Sequence, residues 1–556
     1  MKKMKKLVAS LLIASMAIAL MACGSKSSED KKAESSVTSS DTNALYINLA
    51  SEPDHLDPAA NSTVDGACLA VNSFVGLLTY NEANELIPGI ASDMPEISED
   101  GLTYTVKMNE TNWSNGEPLV AQDFIDSWNR AAQPDFDYSY LFDGVVAKNS
   151  DGTLAAKALD DYTIEITLDS PCPYFSALLA FPTLFPVYNA AELGTDTTWA
   201  NEPGFVSNGA YKLDSWSHEE SMVYVKNDEY YDADNVKINE LHFMLSADDT
   251  AIYAAYNNGD LDFIDTVPND EIQSLLSNPE FYIVDQLGTA YVQFNVGAEI
   301  FANMTEDQAA AFRQAVSKLI DREFLAENIG QTGQVVADSF IPKGMGDSNG
   351  HEFKNKSYYD TDVDLEGAVA LLEEAGYTMT DNGDGTYTPS PAISFEYLTN
   401  DASSNIAVAE AIQADLAVCG IDMKIASQEW QVFLNERKAG NFTMTRGGWI
   451  ADFDDPINML EMFVTESGNN DPQFGKATAK SAPDWAEYDN KIAAIKSETD
   501  NAVRADLMHE AEDMLMDTWA VVPTYFYNDI YMQKPNVTGV FCTPFGFKYF
   551  MGAEKQ

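Results

Sequence analysis

Positive charge is scarce in this chain of 556 residues. Lysine and arginine total 32 against 88 acidic residues, which gives a formal net charge of −56, and only six of the basic residues are arginines. A surface of this kind repels nucleic acid and anionic lipid, so we exclude functions that need a basic binding face. The same excess attracts cationic or zwitterionic ligands over long range.

Cysteine and histidine are also rare, with five of each. The histidines stand far apart, no HExxH motif occurs, and the cysteines form no CxxC or Cys/His cluster of the kind that binds zinc. We therefore predict no metal, no cofactor and no catalytic centre, so that the protein is not an enzyme. The sequence does not show whether any two of four cysteines are bridged: Cys68, Cys172, Cys419 and Cys542.

The N-terminus has the order of a bacterial export signal. Residues 1–6 are cationic, and residues 7–21 form an apolar run that is short for a membrane span. The run ends in Leu20-Met21-Ala22-Cys23-Gly24, which resembles a lipobox. That resemblance implies a lipoprotein signal peptide over residues 1–22 and a lipid on Cys23. An ordinary secretory signal with an incidental cysteine is the alternative.

A polar segment follows, over residues 23–43. It contains serine, lysine and acidic residues and no aromatic residue, so it cannot bury enough apolar surface to fold. We predict a disordered tether, and about 20 flexible residues have a root-mean-square reach of roughly 25 Å. The folded part of the protein would then sit just off a membrane.

Apolar spacing in the remainder of the chain predicts both strands and helices. Residues 101–108 and 162–168 alternate with a period of two, as half-buried strands do. Residues 380–386 fit a hairpin turn better than a calcium loop, which would need further ligands. Helical spacing and end signals predict helices over 120–132, 364–374 and 404–418, a further helix opened by a capping box at 305–308, and a strand over 421–425.

Five segments carry a resemblance to one family. They are Glu52-Pro53 with Leu56-Asp57-Pro58; Gly101 to Met108; Trp113 to Gly116 with Gln122 to Arg130; Ser207 to Leu213 with Trp216; and Phe312 to Arg322. In this order they resemble the peptide- and nickel-binding lipoproteins of ABC importers, the family 5 extracellular solute-binding proteins. The chain departs from the family at Val120, where a threonine usually caps the following helix.

The resemblance implies an α/β, two-lobed, periplasmic-binding-protein-like fold of type II, cluster C, with an extra inserted domain. Ligand would lie between two lobes that crossover strands join. Mapped onto this chain, lobe I would comprise residues 44–76, 202–287 and 520–556. The inserted domain would cover 77–201 and lobe II 288–519.

One stretch, residues 443–456, combines the features of a zwitterion site. Arg446 is followed by Gly447-Gly448, Trp449 and Asp452, so a positive charge, an approachable backbone, an aromatic plate and a negative charge lie within seven residues. Such a set could hold both ends of a zwitterion. The alternative is a loop with a structural salt bridge and a buried tryptophan.

With Trp430, the same stretch resembles the ligand-binding core of the oligopeptide-binding members. The resemblance implies that Asp452 receives a peptide's α-ammonium and that Arg446 takes the carboxylate at certain peptide lengths. Trp430 and Trp449 would wall side-chain pockets. Tyr291 would lie on the strand whose backbone pairs with the ligand.

Two points stay open at this stage. Arg437 is either a charge organiser near the site or a structural residue. Members that clamp longer peptides can use a histidine in the segment corresponding to residues 399–404, and this chain has none there. The preferred peptide length therefore does not follow from the sequence.

The predicted function is capture of short peptides and their delivery to ABC permease subunits. The protein would be a monomer, held at the extracellular face of the bacterial cell membrane by the lipid on Cys23, or in the periplasmic space if there is an outer membrane. Nucleic acid is not a partner. The alternatives are a member of the same family that binds nickel or another small ligand, and a sensor of peptide signals.

Overall fold

The computed structural model describes residues 42–49, 52–347 and 350–556. The predicted signal peptide, the lipidation site Cys23 and the tether as far as residue 41 lie outside the described residues. Among the helices within the described ranges, none has the length and apolar character needed to cross a membrane.

One sheet of ten strands organises the described chain. Two long antiparallel strands at its centre, Phe281–Phe294 and Val521–Gln533, pair with each other over most of their length. Strands from residues 44–264 lie on one side of this pair and strands from residues 393–450 on the other. The spatial order is Tyr211–Ser217, Ser221–Lys226, Glu240–Met244, Ala44–Asn48, Phe263–Ile264, Val521–Gln533, Phe281–Phe294, Met444–Ile450, Ile393–Asn400 and Ile421–Gln428.

A separate four-stranded antiparallel sheet lies within the segment predicted as an insertion. The predicted alternation is confirmed there, because Tyr104, Val106, Ile164 and Ile166 are all buried. Its strands, in spatial order, are Glu96–Ile97, Thr103–Lys107, Thr163–Thr167 and Ala156–Asp160. Five two-stranded sheets complete the described strands: Leu78–Tyr80 with Leu86–Pro88, Thr111–Asn112 with Pro118–Leu119, Thr378–Asp381 with Tyr387–Ser390, Val537–Thr538 with Glu554–Lys555, and Phe541–Cys542 with Lys548–Tyr549.

The predicted helices and the hairpin are confirmed with small shifts at their ends. The hairpin joins Thr378–Asp381 to Tyr387–Ser390, and the capping box at Thr305 and Gln308 is formed. The α-helices of eight or more residues are Val64–Ser73, Ala121–Ala131, Asp249–Asn258, Glu306–Leu319, Leu365–Glu374, Ser403–Ala417, Trp430–Lys438, Ala486–Ser497 and Asn501–Asp517. Shorter ones are Phe175–Leu178, Ala190–Leu193, Ile272–Leu275, Arg322–Phe324, the π-helical turn Leu325–Gly330 and Ile457–Glu461.

The helix after Val120 begins without a capping hydroxyl. The carboxylate of Asp123 accepts a hydrogen bond from the Val120 backbone N–H at 2.9 Å and one from the Trp113 indole N–H at 3.1 Å. An acidic side chain in the first turn therefore satisfies a backbone donor at this helix end. This explains how the chain tolerates valine where a threonine was expected.

The cysteines that the structure describes are all free. Cys68, Cys172 and Cys419 are buried thiols and Cys542 is partly exposed. Burial raises the pKa of Cys68 and Cys172 to about 12, which disfavours the reactive thiolate. Over the described ranges, no group of three or more histidine, cysteine or acidic side chains could hold a metal ion.

Candidate functional site

A cavity of about 560 Å³ is lined by residues from both sides of the central strand pair. This volume lies within the usual range of small-ligand sites, roughly 300–1,000 Å³. All six residues that the sequence predicted for the site line this one cavity: Tyr291, Trp430, Arg437, Arg446, Trp449 and Asp452.

Asp452 is a buried carboxylate in the wall of the cavity. Its Oδ1 accepts a hydrogen bond from the Tyr138 hydroxyl at 3.1 Å, and its Oδ2 accepts one from the Asn458 amide at 2.9 Å. No lysine, arginine or histidine nitrogen of the described residues lies within 4.0 Å of it. Burial is the main reason that the pKa of Asp452 rises to about 7, and the negative charge of Glu461 adds to it.

Asn458 orients both Asp452 and Trp449. Its side-chain oxygen accepts hydrogen bonds from the Trp449 indole N–H at 2.9 Å and from the Asp452 backbone N–H at 3.0 Å, while its amide holds the carboxylate. Sequence reasoning missed this residue. A polar residue inside the apolar run Ile457-Asn458-Met459-Leu460 was the signal, since a buried amide must find hydrogen-bond partners.

Tyr138 was missed too, because it comes from the segment predicted as an insertion. Its ring lies 6.2 Å from the Trp449 ring and 5.1 Å from Phe181, measured between centroids. Burial, and then the charge of Asp452, raises the pKa of Tyr138 well above its usual value, so its hydroxyl stays a donor. No local signal indicates this contact, because 314 positions separate the two residues.

The two predicted tryptophans are half-buried at the cavity wall. Trp449 is held by Asn458 as above, and Trp430 stacks on Phe433 with ring centroids 5.7 Å apart. The Trp430 indole N–H is buried and has no hydrogen-bond partner among the described residues. An unsatisfied buried donor at a cavity wall is a group that a ligand or a water molecule can satisfy.

The diglycine makes room for two tyrosine rings of the protein itself. A Cβ added at Gly447 would lie 2.2 Å from Cε2 of Tyr291, and one added at Gly448 would lie 2.2 Å from the Tyr527 hydroxyl. Tyr291 is only 3% exposed, so its ring is fixed over Gly447. The glycines thus allow the aromatic residues to approach the backbone of the strand Met444–Ile450.

The prediction that the Tyr291 strand pairs with ligand through its backbone is wrong. Both edges of this strand are occupied over residues 289–293, since Tyr291 pairs with Gly447 on one side and with Pro523 on the other. The open edge belongs instead to the neighbouring strand, Met444–Ile450. Strand Ile393–Asn400 pairs with it only at Met444 and Thr445, so among described strands residues 446–450 have no partner on that side.

The two arginines differ in their partners. Arg437 forms an ion pair with Asp471 at 2.9 Å and lies over the Phe433 ring at 5.2 Å. Arg446 donates to the Asn400 side-chain oxygen at 3.2 Å, and no carboxylate oxygen of the described residues is within 4.0 Å of it. Arg446 and Asp452 form no salt bridge with each other, and the buried salt bridge of this stretch joins Asp455 to Arg504 instead.

Gly447→Ala should lower the free energy of unfolding by about 1–3 kcal/mol, the usual cost of overpacking a core. The added methyl would collide with the buried ring of Tyr291. Urea denaturation measures the change. Gly346→Ala is the matched control, since its Cβ would meet nothing nearer than 3.8 Å. Equal losses in the two variants would contradict the close packing at Gly447.

Comparison with known proteins identifies the family. The model of the family described as "Bacterial extracellular solute-binding proteins, family 5 Middle" matches residues 85–471. The chain is 31% identical over 525 residues to the dipeptide-binding protein DppE of Bacillus subtilis, and the match covers 92% of each chain.

Solved structures agree with the fold. The Haemophilus influenzae OppA complex with the peptide RPPGFSPFR superposes with a TM-score of 0.80 at 27% identity, over 92% of this chain and 99% of that one. The Escherichia coli murein tripeptide binding protein MppA gives 0.80 at 26% identity, over 92% and 98%. An unliganded open form of MppA gives only 0.59 at 25% identity, over 93% and 98%, so the described conformation differs from that open form.

These matches confirm the predicted α/β fold of a type II periplasmic binding protein. The family model covers more than half of the chain, and the relative at 31% identity covers nearly all of it. The chain belongs to the bacterial extracellular solute-binding proteins of family 5.

Proposed function

We propose that this protein captures short peptides in the cavity and delivers them to an ABC permease. The observation that carries the proposal is the buried Asp452 carboxylate, which has hydrogen-bond donors but no cation. A buried charge without a counter-charge costs several kcal/mol, so this site favours a ligand that brings an ammonium group. Every peptide with a free amino terminus does so, whatever its sequence.

The open strand edge supplies the second half of the recognition. Backbone groups at alternate positions of residues 446–450 point away from the occupied edge, and Arg446, Gly448 and Ile450 line the cavity. An extended peptide would add a strand here, which gives affinity without reading side chains. Arg446 lies at the far end of this edge from Asp452 and would take the carboxylate of peptides of matching length.

Contacts between distant segments support closure around the ligand. Lys438 donates to the Ser62 hydroxyl at 2.7 Å and pairs with Asp137, and the Gln431 amide donates to the Glu52 carbonyl at 3.4 Å. These contacts join the proposed lobe II to lobe I and to the inserted domain, with the limits given above. A ligand would stabilise this closed form by the difference in its affinity for the two forms.

The relatives support the same function. DppE is a dipeptide-binding protein, and the H. influenzae OppA structure holds a peptide. We propose that this protein likewise binds its ligand without changing it chemically and acts as a monomer. The lipobox supports an anchor on Cys23 that keeps the protein at the outer face of the cell membrane.

Two measurements test the proposal. Mass spectrometry of the protein as purified should find short peptides that co-purify with it. Isothermal titration calorimetry of the ligand-free protein should give saturable binding for a pool of short peptides and none for Ni²⁺. Binding of Ni²⁺ without binding of any peptide would overturn the proposal in favour of the metal-binding alternative.

Peptide affinity should depend on pH in a way set by Asp452. Its pKa of about 7 means that the carboxylate is increasingly protonated as the pH falls, whereas the peptide ammonium stays charged. The bound ammonium lowers the pKa of Asp452, so binding below pH 7 releases a proton and affinity should fall by about tenfold per pH unit. Above roughly pH 8 the peptide amine loses its proton and affinity should fall again.

Calorimetry with a tripeptide of uncharged side chains checks this profile. The maximum is expected between about pH 7 and 8, where both partners are charged. Asp452→Asn should remove the acidic limb because it has no carboxyl to protonate. An acidic limb of equal size in both proteins would contradict the assignment.

A further inference from the structure

Several of the charged side chains that line the cavity are paired with one another. Arg437 pairs with Asp471 at 2.9 Å, and Lys548 lies 2.9 Å from Asp529 and 3.8 Å from Asp265. The proposed function uses Asp452 for the peptide ammonium and Arg446 for its carboxylate. Three further carboxylates of the cavity wall have no role in that proposal: Asp65, Asp249 and Asp401. Asp401 is exposed and Asp249 accepts a hydrogen bond from the Ser403 hydroxyl, whereas Asp65 is partly buried close to the negative charge of Asp54.

Asp65 is a partly buried carboxylate in the first turn of helix Val64–Ser73. Among the described residues, no lysine, arginine or histidine nitrogen lies within 4.0 Å of it. Burial opposes its ionisation most, and the nearby negative charge of Asp54 adds to this, so that its pKa rises to about 7. A bound cation would stabilise a desolvated carboxylate that lies close to another acid.

The part of the cavity wall that contains Val64, the chain neighbour of Asp65, is apolar. A Cβ at Gly546 would lie 2.9 Å from Cγ1 of Val64 and 3.8 Å from Cδ1 of Ile450, so these groups meet around one backbone turn. The Cys68 thiol contacts the Gly546 carbonyl at 3.4 Å, and the aromatic residues Phe545 and Phe547 flank that glycine and line the cavity. The same cavity thus presents an apolar and aromatic surface and, at the chain neighbour of Val64, an unneutralised acid.

This combination suits one class of side chain. Lysine and arginine carry an aliphatic stem that packs on apolar surface and a cationic end that needs a carboxylate or an aromatic face. We propose that Asp65 makes the cavity select peptides that carry a lysine or arginine side chain. The inference rests on the proposed function and names the substrate class of the same cavity.

The test compares tripeptides that differ at one position, with lysine or with norleucine, which has a similar stem and no charge. Each position is scanned in turn by isothermal titration calorimetry near pH 7.5, about where the peptide amine and Asp452 are both charged. At one position the lysine peptide should bind the wild-type protein about tenfold or more tightly than its norleucine counterpart. The wild-type ratio requires no substitution, so folding of a variant does not limit this part of the test.

Two variants test whether Asp65 causes the preference for lysine. Asp65→Asn should bring the ratio of lysine to norleucine affinity close to one. Asp401→Asn removes the same charge from an exposed residue of the cavity lining and should leave the ratio unchanged. Equal affinities in the wild type, or a preference that persists in Asp65→Asn, would overturn this inference alone. Failure of the wild type to bind any peptide would overturn the proposed function itself.

Discussion

Asp452→Ala should weaken the binding of a free-amine tripeptide by about 2–5 kcal/mol, the scale observed when one member of a buried charge pair is removed. The carboxylate is buried, and no cation of the described residues neutralises it, so the peptide ammonium would be its only close counter-charge. Without the carboxylate, the bound ammonium would be desolvated and unpaired. Isothermal titration calorimetry at about pH 7.5 measures the loss under conditions where both groups are charged.

A double-mutant cycle separates this pairing from other effects. The second change is acetylation of the peptide amino terminus, which removes the same charge from the other side. Wild-type protein should bind the free amine and fail to bind the acetylated peptide at a comparable concentration. Asp452→Asn should discriminate between the two peptides far less than the wild type does, because its amide has no charge to offer. Equal discrimination by both proteins would exclude Asp452 as the ammonium site.

Stability distinguishes lost binding from lost structure. The folded-state pKa of Asp452 is about 7, above the ordinary value of 3.8, so this group lowers the free energy of unfolding as the pH rises from about 4 to about 7, and the full loss is present above pH 7. Asp452→Asn should therefore be at least as resistant to thermal unfolding as the wild type near pH 8, in the absence of peptide. A large drop in melting temperature would indicate instead that Asp452 supports the fold.

Arg504→Met should lower the free energy of unfolding by about 3–5 kcal/mol, as expected when a buried pair loses one partner. Arg504 donates two hydrogen bonds to the Asp455 carboxylate, both at 2.8 Å, and the two side chains are 2% and 5% exposed. Asp455 follows Asp452 by three positions, so this pair connects the stretch of residues 443–456 to helix Asn501–Asp517. Methionine keeps the volume of the stem but leaves the carboxylate unpaired.

Two comparisons make this prediction specific. Lys107→Met breaks the exposed pair of Lys107 with Glu96, whose side chains are 61% and 72% exposed, and should lower the free energy of unfolding far less than Arg504→Met does. Combining Arg504→Met with Asp455→Leu should recover much of the loss, since no buried charge remains unpaired. Urea denaturation of the variants measures all three effects. Equal costs for the buried and the exposed pair would contradict the account.

Local patterns were enough to predict many of the elements and the position of the binding stretch. The alternation at Tyr104 and Val106 and the capping box at Thr305 are determined by neighbours in the sequence, so they could be recognised there. Arg446, Trp449 and Asp452 lie within one short segment, and for that reason they could be proposed as one site.

The features that sequence reasoning missed depend on distant parts of the chain. We predicted that the strand of Tyr291 pairs with the ligand, because nothing near Tyr291 in the sequence indicates that this strand pairs with Val521–Gln533. Tyr138 donates a hydrogen bond to Asp452 although 314 positions of the sequence separate the two residues. Asp65 could be proposed only from the structure, where it lines the cavity and has no cationic partner among the described residues.

The structure of a complex with a free-amine tripeptide tests the central claim most directly. The account predicts that the peptide is extended and that its ammonium lies about 3 Å from a carboxylate oxygen of Asp452, between Tyr138 and Asn458. Its main chain should form hydrogen bonds with the open edge of residues 446–450. A peptide bound with its amino terminus away from Asp452, or one that makes no main-chain hydrogen bonds with this edge, would contradict the account.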